Sequence, residues 1–158
     1  MTINFTLNGE EKEIKVPPNK KLSYVLREDC GIRGVHPGCG QGQCGGCLVL
    51  DGINPVYSCL MPAFSLQGRN ITTIEGFVQT PLFPIIEKGF KRAGVVLCDF
   101  CAPARVLSLG ALILQGRNPD QAEIREQIEI VKCSCVGPDS LEMGIQIALE
   151  EHYARERR

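Results

Sequence analysis

The apolar positions of the chain change period near residue 76. Before it they alternate: Ile3, Phe5 and Leu7 are separated by polar neighbours, the period-two pattern of a half-buried strand. Asn8-Gly9 follows, a dipeptide suited to a tight hairpin turn. Ile14 and Val16 continue a return strand that Pro17-Pro18 ends. Leu22, Val25 and Leu26 sit at i, i+3 and i+4, which predicts a short amphipathic helix. Leu48-Val49-Leu50, stopped by Asp51-Gly52, and the stretch Ile71 to Ile74 predict two further strands.

Beyond residue 76 the spacing becomes helical. Thr80 can cap a helix with Pro81 at its first position, and Leu82, Ile85, Ile86 and Phe90 fall on one face. Ala102-Pro103 opens a second helix. Its Val106, Leu107, Leu109, Leu112, Ile113 and Leu114 make it apolar almost all round, hence central. Asn118-Pro119 repeats the cap-and-proline start with Ile124 and Ile128 facing inward. Asp139 or Ser140 is expected to cap a last helix carrying Leu141, Ile145, Ala148 and Leu149. The fold class predicted is α+β. Residues 1–76 form a unit of strands, one helix and a glycine-rich loop; residues 77–158 form an all-α four-helix bundle with an apolar core of its own.

Composition narrows the function. The 158 residues are 44% hydrophobic and 22% charged, as in ordinary soluble domains, and no apolar run approaches the ~18 residues of a membrane span. A net charge of −1 offers no electrostatic reason to bind nucleic acid or acidic membranes. Met1 to Thr6 lacks the basic and then apolar regions of a signal peptide. The nine cysteines are therefore expected in a reducing, cytoplasmic setting as metal-ligand thiolates. There is no Ser-His-Asp or Cys-His arrangement and no phosphate-cradling loop, so no catalytic residue is assigned and the chain alone converts no organic substrate.

The cysteines fall into two sets. Cys39, Cys44 and Cys47 have the spacing C-x4-C-x2-C, with Cys59 following, the plant-type pattern for four thiolates around a [2Fe–2S] cluster. With four thiolates such a cluster carries a charge of about −2 and needs backbone N–H donors aimed at its sulfurs. Gly40, Gly42, Gly45 and Gly46 let the backbone approach it closely. Structural zinc more usually takes two short pairs. Cys98 and Cys101, with Cys133 and Cys135, make the second set, whose C-x2-C and C-x-C spacing also fits zinc. Iron is favoured because Cys101 lies just before the central helix, whose N-terminal amides and dipole suit an anionic cluster. Cys30 belongs to neither set and reads as a small half-buried residue. His36 reads as a surface or supporting residue, since four cysteines are at hand, and Arg155, Arg157 and Arg158 read as solvated charges.

Residues 39–47, Asp51-Gly52, Ser58-Cys59, Thr73-Ile74-Glu75-Gly76, Phe100-Cys101, Pro103 and Asn118-Pro119 carry a family resemblance over almost the whole length. The chain resembles the iron–sulfur subunit of the molybdenum hydroxylases, the xanthine dehydrogenase and aerobic carbon monoxide dehydrogenase family. The resemblance implies a ferredoxin-like β-grasp domain and a four-helix domain, each with one [2Fe–2S] cluster. It implies a molybdopterin-binding large subunit and an FAD-binding medium subunit as partners. Electrons would then enter at the second cluster and leave from the first. The match loosens at Leu97, Asp99, Ala102, Ala104 and Pro138. In the resembled family a Gln at the position of Leu97 bonds the pterin; a leucine has no donor or acceptor, which implies a cofactor held differently or absent in the partner. Two other classes compete. A free ferredoxin-type carrier calls for a strongly acidic docking surface, which a charge of −1 does not offer. A structural adaptor would bind zinc or nothing at the second set.

Overall fold

Asn8 at φ 53° and Gly9 at φ 85° form the expected hairpin turn between β1 (Thr2–Leu7) and β2 (Glu10–Lys15), which pair Ile3 with Ile14. The structure, a computed structural model, describes residues 1–116 and 118–157; Arg158 lies outside them. The first helix, α1 (Leu22–Tyr24), runs straight into a wider π-type turn, Val25–Asp29. With β3 (Leu48–Asp51), β4 (Asn54–Tyr57) and β5 (Asn70–Thr72) the sheet order is β2-β1-β5-β3-β4, and only β1 and β5 run parallel. The apolar pattern misses β4 because Pro55 cannot donate to a ladder. Proline is tolerated there because β4 is the edge strand. The strand expected over Ile71 to Ile74 stops at Thr72. The Thr73 N–H is drawn out of the ladder to Asn8 Oδ1 at 2.8 Å, and a helical turn, α2 (Ile74–Phe77), begins.

Four longer helices follow: α3 (Leu82–Arg92), α4 (Ala102–Leu114), α5 (Gln121–Glu129) and α6 (Pro138–Glu156). Their predicted caps need correction. Thr80 donates its hydroxyl to Phe77 O, and Pro81 takes the cap position of α3. Asp120, not Asn118, caps α5: it accepts from Glu123 N–H, while its own N–H bonds the Glu123 carboxylate. That capping box satisfies two donors rather than one. Gly137 caps α6, whose first position is Pro138, so Asp139 lies inside the first turn where its charge meets the helix dipole.

Two buried clusters share the sheet. Ile3, Phe5, Leu22, Leu26, Val49 and Ile71 fill the first; Ile86, Leu107, Leu109, Leu112, Ile145 and Leu149 belong to the second. Strand β3 serves both. Its period of two sends Val49 into the first cluster and Leu48 and Leu50 into the second. Against the expectation above, the helical core is thus not its own but includes Leu48 and Leu50 of β3. α4 packs on Phe77 at Gly110, where a Cβ would stand 2.3 Å from the Phe77 ring.

Candidate metal centres

The loop from Cys39 to Cys47 wraps its N–H groups around sulfur. Gln43, Cys44 and Gln41 N–H point at Cys39 Sγ at 3.1, 3.3 and 3.5 Å. Gly42 N–H reaches Cys59 Sγ at 3.3 Å, and Cys39 N–H reaches Cys44 Sγ at 3.5 Å. Donors aimed at sulfur from several directions fit an anionic cluster, the test that the residues needed to pass. The same N–H groups, that of Gln41 foremost, pull the Cys39 thiol down to about 6. Cys47 and Cys59, each 1% exposed, form the inner side, and burial pushes Cys47 up to about 11. Gly40, Gly42 and Gly45 hold positive φ, and Gly46 lies against Phe100.

The second set gathers where α4 starts. Cys98 Sγ lies 3.1 Å from Cys101 Sγ and 3.9 Å from Cys133 Sγ, and these three sulfurs lie within 4.8 Å of one another. Cys135 is exposed and lies outside that group of three; interaction with Cys133 and Cys98 pushes its thiol up to about 11. The contact with the Cys101 thiol, then the bond from Cys101 N–H, brings Cys98 down to about 7, while burial sends Cys101 up to about 12. Thiols packed this closely cannot all ionise without a cation among them, and a bound metal collects them as thiolates.

Both loops meet. Lys132 N–H donates to Cys44 O at 2.9 Å, so a single hydrogen bond joins a first-set cysteine to the residue before Cys133. Tyr57 Oη donates to Ile130 O at 3.1 Å. His36 stacks on Phe100 with ring centroids 5.2 Å apart and donates from Nδ1 to Phe100 O at 3.1 Å, so it braces the two loops. Cys30 packs, half-buried, against the first core. Sequence reasoning missed Tyr57 and Lys132, whose partners lie 73 and 88 residues away and leave no local pattern.

Comparison with known proteins agrees with this geometry. Residues 5–64 match the family described as a 2Fe-2S iron-sulfur cluster binding domain, and residues 73–146 match the [2Fe-2S] binding domain. The second match assigns iron rather than zinc to the helical half. The nicotinate dehydrogenase small FeS subunit of Eubacterium barkeri is 35% identical over 150 residues, covering 95% of this chain and 96% of that protein. The xanthine dehydrogenase iron-sulfur-binding subunit of Escherichia coli O157:H7 is 32% identical, covering 87% of each. Among solved structures, quinoline 2-oxidoreductase from Pseudomonas putida 86 superposes with a TM-score of 0.84 at 29% identity, over 97% of this chain and 96% of that one. The aldehyde oxidoreductase from Desulfovibrio gigas gives 0.85 at 30% identity, with all of this chain matching 18% of its length. With two cluster-binding domains in this order and near-complete coverage of small subunits, the chain belongs to the iron–sulfur subunits of the molybdenum hydroxylases and is an electron-transfer subunit of an oxidoreductase of that kind.

Proposed function

We propose that Cys39, Cys44, Cys47 and Cys59 hold one [2Fe–2S] cluster and Cys98, Cys101, Cys133 and Cys135 the other. Each cluster, when bound, takes up and gives back one electron. The observation that carries the reading is the bond from Lys132 N–H to Cys44 O, which links the two cysteine loops through hydrogen-bonded backbone. The bonded loops hold the sites side by side, and strand β3, which serves both cores, joins the two halves. The cytoplasm is the proposed location, and residues 1–76 and 77–158 are the proposed domains, one site to each.

Apolar side chains stand in water near both sets. Val96 is 81% exposed and Phe100 48%, flanking Cys98; Leu60 and Phe64, each 58% exposed, follow Cys59. Such surfaces suit protein partners. A molybdopterin-binding large subunit on the Val96 side would deliver electrons, and an FAD-binding medium subunit on the Leu60 side would accept them. Metal content tests the assignment. Anaerobically purified chain should contain about four iron and four acid-labile sulfides, with two distinguishable paramagnetic signals after reduction. Cys44→Ser should remove one signal and Cys135→Ser the other. Two iron with one zinc would overturn the assignment.

A further inference from the structure

Arg105 is a cation in an unusual place. It is 7% exposed, and it follows Cys101 by one turn of α4, its backbone N–H bonding Cys101 O at 3.0 Å. Four-residue spacing puts both side chains on the same helix face. Its Nη1 donates to Ile128 O at 2.6 Å, a neutral carbonyl, and its buried Nε finds no acceptor. Among the described residues it is ion-paired with no carboxylate; nearby Glu129 is held by Lys132. Arg105, Lys132 and Cys133 line one cavity of about 410 Å³. Burial lowers the pKa of the guanidinium, and the charges of Cys101, Cys133, Glu129 and Cys98 work against that lowering. A buried charge with an idle donor and no direct ion pair is unfavourable unless an anion lies against it.

We propose that Arg105 is a positioning residue of the second cluster, supplying a fixed positive charge and an unused N–H donor to the anionic group held by Cys98, Cys101, Cys133 and Cys135. The inference rests on the ligand assignment above. Reduction adds one electron to that group, with no proton taken up and no bond broken, and makes its charge more negative. A nearby cation favours the more negative form, as it does in a pKa shift. Arginine keeps its charge at any working pH, so the effect is permanent. The second site is then easier to reduce than the same four cysteines without Arg105.

The test is a redox titration of the full cluster-loaded chain, with dithionite supplying the electron and both paramagnetic signals followed. Arg105→Met keeps an apolar stem and removes the charge. Its second signal should need a potential lower by about 59 mV, a tenfold change for a one-electron couple, while the first stays in place. Arg105→Lys should retain most of the wild-type potential. Unchanged potentials in a fully loaded Arg105→Met chain overturn the proposal. They do so even if its melting temperature falls, since that loss reports only the bond to Ile128. Where Arg105→Met does not load the second site, Arg105→Lys decides: a loaded site at near wild-type potential supports the role, and an unloaded one overturns it. Failure of the ligand assignment looks different, because the second signal would then survive Cys135→Ser.

Discussion

Gly45 combines a φ of 80° with a crowded neighbourhood: a Cβ there would stand 2.3 Å from Ile130 O and 2.8 Å from Val131 Cα, both backbone atoms. Its loop turns where only glycine is unstrained, and the second cysteine loop is packed into the space a side chain would need. Gly45→Ala should cost about 2–4 kcal/mol, from strained backbone and overpacking together, and should push the two loops apart. Urea denaturation with and without the substitution measures it; a cost below about 0.5 kcal/mol would contradict the packing. Cys30 offers the opposite case. Burial, then the charge of Asp29, raises its thiol above the ordinary value, so it stays neutral and poorly nucleophilic near pH 7. Cys30→Ser should leave both cluster spectra intact, and loss of either signal would overturn the ligand assignment. At Leu97 the side chain packs against the helical core and lines a cleft with Val95, Val96 and Pro103, to which Glu87, Lys91 and Asp99 also contribute. Leu97→Gln gives up that apolar packing, so it should lower stability by about 1 kcal/mol. In the assembled complex it should gain no bond to a pterin; a new direct contact that disturbs neither protein would remove the idea of a divergent partner.

Glu75 works between elements. Its carboxylate accepts from Gly34 N–H at 2.7 Å, Arg33 N–H at 3.0 Å and Thr73 Oγ1 at 2.7 Å, tying the approach to the first cysteine loop onto the start of α2. Burial alone would raise its pKa, but the bonds from Thr73, Gly34 and Arg33 outweigh it and bring it below the ordinary 4.5. A folded pKa lower than the unfolded one stabilises the fold above the unfolded value, and that stabilisation fades as pH falls through the folded value. Glu75→Gln should therefore cost about 1–2 kcal/mol at pH 7, a figure reduced for partial exposure. The gap to wild type should narrow in the acid range below 4.5; an equal gap at both pH values would show that the charge is not involved. The partners Arg33 and Gly34 could not be read from the chain, because they lie 42 and 41 residues from Glu75. The sequence did place the strand, hairpin and helix periods. It missed the edge strand β4 and erred at the ends of other elements, where a single side chain such as Asp120 or Asn8 decides which backbone donor is satisfied.

At the scale of the molecule, the shared strand decides how the halves depend on each other. Leu48 and Leu50 are 2% and 1% exposed within the helical core, so residues 77–158 expressed alone would lack part of that core and leave its matching surface wet. Losing two buried leucines should cost about 3–6 kcal/mol at roughly 1.5–3 kcal/mol each. The fragment should melt well below the whole chain and bind a hydrophobic dye; a fragment as stable as the whole would argue for independent halves. What the sequence by itself determined is the chemistry: cysteine spacing, glycine content and apolar period are local properties, and they carried the two cysteine sets, the family and the order of a β unit and a helical one. The tertiary structure decided how the two cysteine loops are joined. The bond from Lys132 to Cys44, the stacking of His36 on Phe100, the packing of Gly45 under Ile130 and the burial of Arg105 beside Cys133 join residues far apart in the chain. Contacts of that kind form only when the cores bring loops together, and no local pattern of residues encodes them.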